Sequence, residues 1–127
     1  MEKDNNITPI SQIDAKEVEA AQQAAEKAED LFVLKFKKPF SYEGVDYDSL
    51  SFDFDGLTGA DSLAVENEMS KLGISVVVPA FSGEYLSRIA ARACTTRIGS
   101  DALRQMKLTD YNKLRSATRN FLMRSEQ

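Results

Sequence analysis

Residues 50–55 read Leu-Ser-Phe-Asp-Phe-Asp, and no other stretch limits the fold of this chain as tightly. Leu50, Phe52 and Phe54 alternate with Ser51, Asp53 and Asp55. A period of two puts the apolar three on one face of a strand and the polar three on the other. Upstream, residues 32–37 (FVLKFK) have the β-branched and aromatic bias of a second strand, which Pro39 is expected to end. Gly44 marks a turn between the two. The result is a hairpin with one wet face. A lone hairpin is marginal in water, so helices must cover its apolar side.

The rest of the chain supplies those helices. Thr58-Gly-Ala-Asp61 is a capping-box start, in which hydroxyl and carboxylate each satisfy a backbone N–H. Leu63, Val65, Met69 and Leu72 follow at helical spacing, and Gly73 stands where a left-handed helix end belongs. Residues 74–80 (ISVVVPA) read as strand-like or extended, with Pro79 arguing against a central strand. Ser82 is placed to cap a helix with the stripe Tyr85, Leu86, Ile89, Ala90 and Ala93, ending near Gly99. Ser100 opens a short helical turn through Met106. Thr109 is the expected cap of a last helix carrying Leu108, Tyr111, Leu114, Thr118, Phe121 and Leu122 on one side. Strands first and helices after them make an α+β fold: an N-terminal β-hairpin packed with a mainly α-helical C-terminal part.

In front of the hairpin, residues 1–12 are polar and expected to be flexible. Residues 14–30 are rich in helix formers, but Val18 is the one large apolar side chain in AKEVEAAQQAAEKAE. Such a helix buries little and docks loosely, associates with itself or needs a partner. The chain therefore divides into a polar segment, 1–30, and one α+β domain, 31–127.

Composition narrows the chemistry. The chain of 127 residues has no His, no Trp and a single Cys. No imidazole is present to activate a nucleophile or bind zinc, and Cys94 cannot form an internal disulfide. No catalytic constellation, cofactor motif or metal set emerges, and G-x-x-x-x-G-K-[ST] is absent. The net charge of −4 conceals an asymmetry. Residues 76–127 carry nine basic and four acidic groups, leaving −9 on residues 1–75. Opposite halves can attract each other, other copies or a charged partner. The start MEKDNNITPI lacks a signal-peptide core, and the longest apolar run, Ile74 to Ala80, is broken by Ser75. That falls far short of the roughly 18 residues of a membrane span, and the expected location is the cytosol.

Four features invite functional readings. Asp53-Phe-Asp55-Gly56 begins like a calcium loop, but the twelfth position is Ala64 where a Glu is needed, so a solvated strand face is the better account. Cys94 reads as a small hydrophobe. Arg88, Arg92, Arg115, Arg119 and Arg124 recur at helical spacing and raise the alternative of a nucleic-acid-associated helical domain. Aromatic residues are not interleaved with them, and the pI near 4.9 opposes that alternative. The candidate partner-binding residues are apolar: Val76, Val77, Val78 and Phe81, with Tyr85 and Leu86 a helical turn on, and Phe121, Leu122 and Met123 near the end.

The order of these elements resembles the tail assembly chaperones of long-tailed bacteriophages and prophages. The resemblance runs over about residues 33–123. It rests on Pro39, Gly44 and Leu50 of the hairpin, the Thr58–Asp61 helix start, and residues 85–92 (YLSRIAAR). Residues 103–110 (LRQMKLTD) followed by Leu114, Thr118 and Phe121-Leu122 carry it furthest. The long polar front and the apolar stretch from Gly73 to Phe81 depart from the family pattern. The resemblance implies a non-enzymatic protein of the host bacterial cytoplasm with no cofactor. Its implied client is the tape measure protein, kept soluble while tail tube subunits polymerise around it. A longer form made by frameshifting recruits those subunits in many such phages, and self-association is expected.

Overall fold

In the computed structural model, which describes residues 31–126, two antiparallel strands come first, β1 (Phe32–Tyr42) and β2 (Val45–Phe52). The segment expected to be flexible (1–12) and the expected Ala-rich helix (14–30) lie outside the described residues. Glu43 and Gly44 alone connect the strands, with φ of 49° and 79°. Two successive positive φ values give the turn whose twist matches the strands it joins. Gly44 adopts this freely, whereas Glu43 does so against its own Cβ.

Pro39 does not end β1. Lys35 pairs with Ser49 and Phe40 with Tyr47, so the four residues from Phe36 to Pro39 stand opposite Asp48 alone. A bulge tolerates proline because no ladder N–H is required of it. Phe36 and Phe40 are both buried there, with ring centroids 5.6 Å apart. β2 in turn stops at Phe52, before the alternation does. The Asp53 carboxylate accepts from the Gly56 N–H at 3.1 Å and starts a 3-10 turn, Phe54–Gly56. Leu50, Phe52 and Phe54 still all face the interior.

Four helices follow: α1 (Gly59–Lys71), α2 (Gly83–Ala93), the short α3 (Ser100–Leu103) and α4 (Leu108–Ser125). The fold is α+β. At the start of α1 the Asp61 carboxylate accepts from the Thr58 N–H at 2.8 Å, the reach-back half of a capping box. At its end Gly73 has φ 74°, and the Ile74 N–H donates to the Met69 carbonyl at 2.9 Å. This is the Schellman closure. Val65 and Met69 face inward, while Leu63 and Leu72 are exposed.

α2 is the middle element. Ala90 and Ala93 join the hairpin cluster with Leu34, Phe52, Leu103 and Leu114, while Tyr85 and Ile89 pack with Val65 and Met69 of α1. The helix ends at Ala93 and not near Gly99, because Cys94 turns extended and bridges Phe52. The Asp53 N–H donates to the Ala93 carbonyl at 2.8 Å and the Thr95 N–H to that of Ser51 at 2.9 Å. α4 is preceded by Lys107 as its cap, so Thr109 lies inside the first turn. Leu108 is 70% exposed and drops out of the stripe, whereas Leu114 and Thr118 are buried. The Thr118 hydroxyl donates to the Leu114 carbonyl at 2.8 Å, which satisfies it there.

Charge joins the helices as well. Buried Arg88 pairs with Glu84 one turn before it and with Glu68 of α1 at 3.3 Å. Glu84 also takes Arg104 at 2.6 Å, and Asp61 takes Arg92 at 2.8 Å. The Thr58 N–H, then Arg92, hold the Asp61 carboxyl below its ordinary range, and Arg88, then Arg104, do the same for Glu84.

Two outcomes are expected. Phe52→Ala removes a ring with no exposed surface and should cost about 3–5 kcal/mol in urea unfolding. Both lowered carboxyls bind protons more readily in the unfolded chain, so stability is held above a pH of about 4 and lost as pH falls further. Asp61→Asn combined with Glu84→Gln should flatten the acid limb of a plot of unfolding midpoint against pH.

Candidate partner-binding surface

Residues 74–82 link α1 to α2 without forming a strand. Ile74 and Val76 turn inward onto the α1–α2 cluster and anchor the start of the segment. Val77 is then 90% exposed, Val78 50% and Phe81 61%. Pro79–Phe81 forms a 3-10 turn with Ala80 buried beneath it. The far end is fixed by the Ser82 hydroxyl, which accepts from the Tyr85 N–H at 3.2 Å and caps α2.

Arg119 of α4 holds the turn from below. Its Nε donates to the Ala80 carbonyl at 3.0 Å, and its guanidinium lies 5.3 Å from the centre of the Phe81 ring. A cation over a ring face attracts it, and the hydrogen bond orients that cation. Met123, four residues on and 47% exposed, shares that face of α4. Phe81 packs on Arg119, and Met123 lies one helical turn further along α4. Leu72, at the end of α1, is 62% exposed.

The other candidates divide differently. Tyr85 and Leu86 are buried, at 4% and 1% exposure, and line no groove. Their stripe is needed between the hairpin and α1, and the Tyr85 hydroxyl is used at 2.8 Å from Ser62 Oγ. Phe121 stacks on Phe54 at 5.4 Å and Leu122 packs on the α1–α2 cluster, so both are half-buried. The surface carried by the sequence candidates is therefore Val77, Val78, Phe81 and Met123.

Three of the five arginines at helical spacing are engaged within the fold. Arg88 is buried, Arg92 is paired, and Arg119 is occupied by Ala80 and Phe81. Asp53 spends its carboxylate on the Gly56 N–H, where a Cβ would come within 2.8 Å of that carboxylate's Oδ2. Cys94 is half-buried, and that burial raises its thiol pKa, which suits packing and not reactivity. Among the described residues no helix is long and apolar enough to cross a membrane. Compared with protein-family models, curated proteins and solved structures, the chain matches none.

Surface and interior residues should respond differently to substitution. Val77→Ser should change unfolding free energy by no more than about 0.5 kcal/mol. Leu86→Ala should cost about 2–5 kcal/mol. Urea titration of the two variants checks both.

Proposed function

We propose that this protein is a tail assembly chaperone of a long-tailed phage or prophage, acting in the host cytoplasm on the tape measure protein. The observation that carries the reading is the apolar Val77–Phe81 turn, exposed to solvent yet fixed by Arg119, Ser82 and the buried Ala80. Exposed apolar side chains held in place are suited to contact with a partner, because little freedom remains to be lost on binding. The hairpin-then-helices order of the resembling family is a second support.

The mechanism is that of a holdase. Binding to apolar helical segments of the client lowers the free concentration of the aggregating species, and tube polymerisation displaces the chaperone. No nucleotide is required. Self-association belongs to this reading, as does delivery of tail tube subunits by a frameshifted longer form. The nucleic-acid alternative has less support, since Arg88, Arg92 and Arg119 are engaged within the fold.

Co-expression with the tape measure gene of the same phage tests the proposal. The client should become soluble and co-purify. Val77→Asp combined with Phe81→Asp should abolish this while leaving the thermal midpoint within a few degrees, since both side chains are exposed. A client that stays insoluble with the wild-type chain, or is rescued equally by the double variant, refutes the assignment.

A further inference from the structure

Among the described residues, β1 has a strand neighbour on one side only. Its other edge faces α4 across a groove of about 690 Å³, lined by the consecutive residues Phe32, Val33, Leu34 and Lys35. Successive side chains of a strand point to opposite faces, so four in a row line one groove through the strand's edge. The helix wall carries Asn112, Ser116 and Asn120 at four-residue spacing, short side chains that leave width for a further strand. Among the described residues, the backbone of 32–35 pairs with β2 and with nothing else.

Charge defines what fits there. Lys35 and Lys113 border the groove, and Lys113 is shared with a second cavity of about 400 Å³ beyond the bulge. That cavity adds Lys37, Lys38 and Lys107, with Asp110 the one acid in either lining. None of the five lysines pairs with a carboxylate among the described residues. A second copy pairing edge to edge would set these lysines against their own kind, which is repulsive. Lys37-Lys38-Pro39 also bulges the strand away beyond Lys35, a usual protection against indiscriminate edge pairing. What remains is a short, selective edge.

We propose that the outer edge of β1 at residues 32–35 is a strand-addition site for an acidic, extended segment of a partner polypeptide. The partner's backbone would complete the ladder, and its carboxylates would meet Lys35, Lys113 and the lysines of the bulge. A nucleic acid suits the groove less well. Its cations are all lysines, without the bidentate guanidinium fork, and Phe32 and Leu34 give an apolar floor with no exposed stacking platform. This edge shares no residue with the Val77–Phe81 turn, and its occupancy is independent of the chaperone reading.

The test uses the full chain, ¹⁵N-labelled, with a short fluorescein-labelled peptide of alternating valine and glutamate. The controls are the valine–lysine peptide and a single-stranded DNA oligonucleotide. The acidic peptide should bind, slow amide exchange within 32–35, and lose affinity by about tenfold or more with Lys35→Glu combined with Lys113→Glu. Lys37→Gln with Lys38→Gln provides a milder variant should the first lose its circular dichroism signature. Binding without protection of 32–35, equal binding of the valine–lysine peptide, indifference to both variants, or protection of the same amides by DNA would each overturn the proposal.

Discussion

The backbones of Phe52 and Cys94 form an antiparallel bridge, flanked by the bonds from Asp53 to Ala93 and from Thr95 to Ser51. A two-stranded sheet buries too little to stand alone. This bridge attaches the end of β2 to the end of α2, so the apolar side of the hairpin is closed by the helix leading into it. It also fixes the direction in which the chain leaves α2. Phe52 sits at the junction with no exposed surface, its ring 6.2 Å from those of Phe32 and Phe54, which are 6.3 Å from each other, so that the three form a triangle. Burial and backbone pairing there reinforce each other, since the bridge positions a ring that excludes water from the bridge.

From that junction α2 becomes the shared wall of two apolar clusters. Its stripe is consumed entirely: small Ala90 and Ala93 let the hairpin approach closely, and larger Tyr85 and Ile89 fill the gap to α1. Arg88 is drawn into the same layer, where two carboxylates offset part of the cost of its burial while its Nε makes no hydrogen bond. The pairs Arg88–Glu68 and Arg92–Asp61 join the basic half of the chain to the acidic half. Part of the charge asymmetry is thus spent inside the fold. The lysines flanking the edge of β1 have no such partners among the described residues.

With the apolar stripe of α2 buried, the connection between α1 and α2 carries the most exposed apolar side chain, Val77. The Val77–Phe81 turn stays out because Ile74 and Val76 anchor one side and Arg119 the other, leaving no room beneath for more than Ala80. One arginine thereby sets both the shape and the electrostatics of the candidate surface. Two surfaces result, an apolar turn held by Arg119 and a lysine-bordered groove along Asn112–Asn120 of α4, and they share no lining residue.

The sequence by itself determined much of the local structure. The α+β order, the inward set Leu50, Phe52 and Phe54, the reach-back of Asp61, the Gly73 closure and the Ser82 cap all follow from short-range periodicity and hydrogen-bonding chemistry. Tertiary structure alone decided the rest, because it depends on which distant groups meet. Pro39 reads as a strand end until pairing across the hairpin absorbs it in a bulge, and Cys94 reads as helix until Phe52 offers a bridge. Apolar side chains are legible in the sequence, but the sequence does not say which side of an element a neighbour occupies. Tyr85 is taken up by the α1–α2 cluster, Leu86 is buried, and Phe121 and Leu122 are half-buried against Phe54 and the α1–α2 cluster. Val77, Val78, Phe81 and Met123 are left exposed because no element among the described residues covers them, and burial is a property of what lies opposite.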